Sequence, residues 1–197
     1  MVPALSMEEM LEEILRKYEY GEQRIVGIML ARYDVSLVQN VISECYRYWH
    51  KYTGRDFDIF WPGYGAYIPM DHKNESIQIL NFFKNNDRVY FDLDAFVSFK
   101  KIIKKEYLIP YSDHFEILLV NYRDGKLHFN EYIKVNLEKN INLYNESIRD
   151  IIEFIIDESR ALPSVVELNK KIKTKKIWES IKDIKTSDVV SLASALL

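Results

Sequence analysis

Between Arg24 and Leu137 the hydrophobic pattern switches from strand-like to helix-like and back in a fixed order, then closes on a hairpin signal, and no other feature restricts the fold as much. Residues 24–30 (RIVGIML) are a short apolar run with β-branched members, the pattern of a strand buried on both faces. Val38, Val41, Ile42, Cys45, Trp49 and Tyr52 then share one helical stripe, with Asp34 or Ser36 as the expected N-cap and Gly54 as the stop. Residues 57–61 (FDIFW) read as a second strand, halted by Pro62-Gly63-Tyr64-Gly65, and a strand–helix–strand unit of this length implies parallel pairing through a right-handed crossover. Residues 75–85 fit a helix and a strand equally. Residues 88–91 suggest a short edge strand before Asp92 or Asp94 caps a helix that runs to Glu106 with Phe96, Phe99, Ile102 and Ile103 inward. Residues 115–121 and 127–135 are strands joined across Arg123-Asp124-Gly125-Lys126, where Asp-Gly favours a type I′ hairpin turn. A helix over 143–159 follows, with Ile148, Ile151, Ile152, Ile155 and Ile156 inward.

The flanks are amphipathic. Ser6-Met7-Glu8-Glu9 reads as a capping box that opens a helix over 6–19, with Met7, Met10, Leu11, Ile14, Leu15 and Tyr18 on one face and Gly21 ending it. Beyond Pro163 the composition changes: residues 164–197 hold seven Lys against four acidic residues, a net of +3, which leaves −6 for residues 1–163. Three segments are therefore expected: an N-terminal helix over 1–22, an α/β core over 23–162 and a C-terminal helical extension over 163–197. Ser164-Val165-Val166-Glu167 is a second capping box, and residues 189–197 form a short apolar helical patch. The expected role of this tail is to pack on the N-terminal helix or to dock on a partner.

Within residues 24–159 the order is βαβ, then α, then a β-hairpin, then α, and this order resembles the thioredoxin-like fold. The expected class is α/β (α+β) with a mixed sheet. The resemblance rests on element order, and no CxxC or N-terminal active-site cysteine opens the first core helix, so the family's redox chemistry is carried to no residue here. Flavodoxin-like sheets also open with βαβ but continue with parallel crossovers where this chain has a hairpin.

Composition narrows the functional classes. With 197 residues and 48% hydrophobic content, a chain of this size buries about 70% of its unfolded surface. A charge of −3 and a pI near 5.9 supply no global attraction to nucleic acid, which is not an expected partner. Cys45 is the only cysteine, which rules out an intrachain disulfide and fits a reducing cytoplasm. No leader pattern opens the sequence, and no apolar run reaches the ~20 residues that span a bilayer. Asn74 and Asn145 lie in sequons that then imply no glycan.

Candidate sites are few. Ligands of open α/β sheets sit beyond the carboxyl ends of parallel strands, which places Arg32, Tyr33 and Asp34 opposite Trp61, Tyr64 and Gly65, with Asp92 nearby. Glycines would allow close approach and the aromatics would stack on a flat group; the simpler reading makes the glycines a turn, the aspartates helix caps and the aromatics the end of the core. His50, His72, His114 and His128 share no metal-ligand spacing, and neither a metal nor a cofactor is expected. Asp113-His114 are adjacent in an extended segment, so their side chains point apart. An Asp followed by Glu-x-Lys would mark a nuclease centre, and no Glu-x-Lys occurs. Cys45 reads as a core residue and not a reactive thiolate. Lys100, Lys101, Lys104 and Lys105, and the lysines of 170–176, read as solvated helical faces.

No residue is assigned a catalytic role. The expected function is a non-catalytic protein-interaction or accessory subunit of a larger assembly, bound to a protein partner or to itself through the terminal helices. The aromatic-rich segments FDLDAFVSF and EILLVNY are similar to small bacterial proteins of unknown function, some encoded beside defence genes. The alternative is an enzyme or a sensor of a nucleotide-like molecule that uses the pocket at Arg32, Asp34, Trp61, Tyr64, Gly65 and Asp92.

Overall fold

The structure, a computed structural model, describes residues 2–53, 57–68, 75–80, 89–112, 114–138, 148–174 and 181–185, with 173–174 and 181–185 described by backbone alone. Nine strands, β1 (Val2–Ala4), β2 (Arg24–Leu30), β3 (Asp58–Pro62), β4 (Tyr64–Gly65), β5 (Ile77–Ile79), β6 (Tyr90–Asp92), β7 (Glu116–Arg123), β8 (Lys126–Asn136) and β9 (Ile181–Lys185), form one mixed sheet in the order β5-β6-β4-β1-β3-β2-β7-β8-β9. Among the described residues five helices flank it: α1 (Met7–Lys17), α2 (Ser36–Tyr52), α3 (Leu93–Lys105), α4 (Ile148–Ala161) and α5 (Val165–Thr174).

The central strand β2 follows the sequence pattern. Ile25, Met29 and Ala31 point to one core, and Val26, Ile28 and Leu30 to the other, as alternation in a doubly covered strand requires. β2 pairs parallel with β3 on one side and antiparallel with β7 on the other. The first core holds α2, α4 and α5, through side chains such as Trp49, Ile152 and Leu168; the second holds α1 and α3, through Met10, Ile14, Phe99 and Ile103. The result is a three-layer α/β/α domain.

Asp124 (φ 52°) and Gly125 (φ 74°) are both left-handed, which is the type I′ geometry expected of this pair. Arg123 faces Lys126 at the turn and Asn121 faces His128, but Val120 faces Tyr132. Phe129, Asn130 and Glu131 are therefore extra residues in β8, a bulge that moves every later pair by three positions.

Several sequence expectations are corrected. The helix over 6–19 is Met7–Lys17, ending in an extended Tyr18, so Gly21 is not its stop, and Leu15 is 59% exposed. Ser6 does cap it by accepting from Glu9 N, while the Glu9 carboxylate accepts from Leu5 N at 2.6 Å. Val35, whose side chain has no acceptor, is the N-cap of α2, and the expected cap Asp34 is held by Arg32 instead. Tyr90–Asp92 is an interior strand between β5 and β4, and the edge is β5. The described part of the segment over 75–91 is thus strand at both ends, and residues 81–88 lie outside the described residues, as do 54, 143–147 and 189–197. Val165, Leu168 and Ile172 pack in the α2–α4 core, on the opposite side of the sheet from α1. β1 is too short, at three residues, to show a period, and β9 places a strand, paired with β8, within the segment over 163–197 that is expected to be helical.

Candidate functional site

The carboxyl ends of β2 and β3 bring together the residues that the strand-end rule selects. The Arg32 guanidinium donates twice to Asp34, at 3.1 and 2.5 Å, in a fork that is one-fifth to one-third exposed. The Tyr64 hydroxyl donates to the Ala31 carbonyl at 3.1 Å and ties β4 to the end of β2. Burial, with Tyr33 and Asp34 nearby, raises the Tyr64 hydroxyl well above the usual tyrosine range. Trp61, Tyr64 and Phe91 are fully buried and form a chain of rings with centroids 5.3 and 5.1 Å apart.

The two glycines of the Pro-Gly-Tyr-Gly segment are filled from within. A Cβ on Gly65 would stand 2.4 Å from the Tyr90 ring, and one on Gly63 would stand 2.7 Å from Phe96 Cβ and 2.9 Å from the Asp92 carbonyl. Gly63 also has a φ of 79° that favours glycine, and its peptide links β1 to β6, its N–H donating to Ala4 and its carbonyl accepting from Asp92. The Asp92 carboxylate accepts from Asp94 N and Ala95 N, which caps α3. Of the six residues picked from the sequence, Arg32 and Asp34 form a surface pair, Trp61, Tyr64 and Gly65 close the core, and Asp92 caps a helix.

Other polar clusters among the described residues have no local sequence signal. At the amino end of β3 the buried Asp58 accepts from the Tyr18 hydroxyl and from Lys17 Nζ at 2.5 Å, while Arg24 lies 4.3 Å over the Tyr18 ring and donates to Glu22. Burial and the Asp58 charge push the Tyr18 phenol far above its usual range. At the opposite end of the sheet Ser112 donates to Glu116, Lys134 donates to the Pro110 carbonyl, and Lys134 Nζ is 3.9 Å from Glu116, with both charged groups buried. Beside them Glu138 accepts from Phe115 N and faces His114 Nδ1, each at 2.8 Å. His114 thus pairs with a residue 24 positions away; its sequence neighbour Asp113 lies outside the described residues.

The chain also opens to the outside along α1. β1 matches three pairs with β3 but a single pair, Ala4–Tyr64, with β4. Beyond Gly65 the backbone turns away, with Tyr67 left-handed (φ 65°) and 78% exposed. The resulting cleft has a volume of about 500 Å³. Val2, Pro3, Leu5 and Ala66 are among the residues that line it, and Glu9, Glu12, Glu13 and Arg16 border it from α1. Glu13 accepts both Arg16 donors, at 3.0 and 2.7 Å. Sequence reasoning missed this cleft because it depends on where a two-residue strand stops pairing.

Among the described residues no group of three His, Cys, Asp or Glu side chains could hold a metal ion, and no helix is long and apolar enough to cross a membrane. No protein-family model matches the chain, and comparison with the curated proteins and with the solved structures found no match.

Proposed function

We propose that this chain is a non-catalytic protein-interaction domain, an accessory subunit of a larger assembly, built on a thioredoxin-like scaffold. The scaffold reading is supported by the four strands β3-β2-β7-β8, which combine a parallel βαβ half with an antiparallel ββα half, with α2 and α4 on one face and α3 on the other. The interaction reading is supported by one observation above all: the strand-end position that would take a small ligand is occupied by Trp61, Tyr64, Tyr90 and Phe91, whereas the cleft along α1 is open.

The test is to purify the tagged full-length chain under native conditions and determine its mass by mass photometry, beside a thermal-shift screen with a nucleotide panel. A discrete heavier species of fixed stoichiometry supports the subunit reading. A free chain stabilised by a nucleotide overturns it in favour of the sensor alternative, which requires Tyr64 or Tyr90 to leave its packed position.

A further inference from the structure

We infer that the chain pairs with a second copy of itself through the outward faces of α1 and α3, the acidic α1 of each copy lying against the lysine-bearing α3 of the other. This deepens the interaction reading and rests on it. α1 and α3 cover the same side of the sheet, since Met10 and Ile14 of one and Phe99 and Ile103 of the other fill the second core, so their solvent faces look the same way. On α1 that face carries Glu8, Glu12 and Leu15; on α3 it carries Lys101, Lys104 and Lys105, and all six are exposed. The acidic Asp94 and Glu106 stand at the two ends of α3, which leaves the stretch between them basic. Other charges on these helices are engaged: Glu9 with Leu5 N, Glu13 with Arg16, Lys17 with Asp58, and Lys100 over the Tyr111 ring at 4.3 Å. Among the described residues the side chains of Glu8, Glu12, Lys101, Lys104 and Lys105 have neither a hydrogen bond nor an ion pair.

Local chemistry accounts for part of this pattern only. Glu8 in the first turn of α1 and Lys104 and Lys105 in the last turn of α3 answer the helix dipoles, but Glu12 and Lys101 lie beyond the terminal turns. Glu8 and Glu12, like Lys101 and Lys105, are equal charges four residues apart, which repel along their own helix and are relieved when opposite charge is brought up from outside. A face that holds both signs in separate stripes is complementary to itself: a two-fold axis sets α1 of each copy against α3 of the other, so the match is made twice. Apolar contact comes from Leu15 and Leu108, which are 59% and 78% exposed. Leu108 follows α3 with a φ of 56°, a left-handed conformation uncommon for leucine, and stands in solvent while Tyr107 and Ile109 on either side of it pack against the second core. A polyanion such as nucleic acid fits this face less well, because it would meet the α1 carboxylates as well as the lysines.

The experiment measures the mass of the purified full-length chain by size-exclusion chromatography with light scattering over a series of protein and salt concentrations. It compares the wild type, E8K/E12K, K101E/K104E/K105E, an equimolar mixture of these two variants, and L15S/L108S. Every substituted residue is exposed, so the fold is left in place, which thermal unfolding checks. The expected result is a wild-type dimer that weakens as salt rises and that L15S/L108S also weakens. Each charge variant alone loses at least about tenfold in dimer affinity, because both of its faces then carry one sign, and mixing the two restores the dimer, because each offers the sign the other lacks. A monomeric wild type, a charge variant that dimerises as the wild type does, folded charge variants that stay monomeric when mixed, a dimer untouched by L15S/L108S, or a heavier species that nuclease dissolves overturns the inference. Should a charge variant unfold, the salt series and L15S/L108S decide. A chain that is monomeric alone yet present as one copy in a natively purified assembly overturns the self-pairing and leaves the subunit reading intact.

Discussion

The Tyr18 hydroxyl donates to the buried Asp58 carboxylate, so the last turn of α1 is fastened to the first residue of β3 across 40 positions of sequence. Lys17 reaches the other oxygen, and Asp58 is thereby matched by one phenol and one ammonium. This contact holds α1 against the sheet and gives the cleft one rigid wall.

Tyr18→Phe removes a donor from a buried charge and leaves that oxygen unsatisfied, so it should destabilise the fold by about 1–3 kcal/mol. Urea denaturation measures the loss. Repeating it in an Asp58→Asn background should give a smaller loss, because the two groups share one interaction.

Glu116 and Lys134 are both buried, and their charges compensate each other. Lys134→Met should cost about 3–5 kcal/mol by stranding the carboxylate, and the double variant Lys134→Met/Glu116→Gln should recover a large share of it. A double variant no more stable than Lys134→Met would show that the lysine acts through its bond to Pro110 alone.

The hairpin explains why this pair was hidden. Extending the Asp124-Gly125 turn residue by residue would set Glu116 opposite Ile133, whereas the bulge at Phe129–Glu131 sets it opposite Asn136 and turns Lys134 to the α3 side. The turn was legible because Asp-Gly is a local signal; the bulge carries none. β2 and most of the α2 stripe were likewise legible from period alone, since Val38, Ile42, Cys45 and Trp49 are all buried, whereas Val41 is half-buried and Tyr52, at the helix end, is exposed. The strand-end site was half legible: Asp34 and Tyr64 do converge, but no local pattern reveals that Tyr90 fills the space over Gly65.

Gly63→Ala should be more damaging than Gly65→Ala. At Gly63 the new methyl meets a backbone carbonyl and Phe96 Cβ in a left-handed conformation; at Gly65 it meets the far end of the half-buried Tyr90 ring, which can swing aside. Losses of about 3 kcal/mol and about 1 kcal/mol are expected, read as shifts in Tm. Adding Tyr90→Ala should relieve the second and not the first.

Cys45 is 5% exposed, and burial, reinforced by Glu44, pushes its thiol up to about 11 from an ordinary 9.0. The unfolded thiol therefore ionises first, so its contribution is full below pH 9 and is lost as pH rises toward 11, by about 2 kcal/mol. The stability of Cys45→Ala should fall less steeply over this window than that of the wild type. Iodoacetamide at pH 8 should label the native chain far more slowly than the urea-unfolded chain.

The subunit reading is tested most directly by size-exclusion chromatography with light scattering on the natively purified full-length chain. A discrete assembly of fixed stoichiometry is the predicted result. A chain that runs free at its own mass would contradict it.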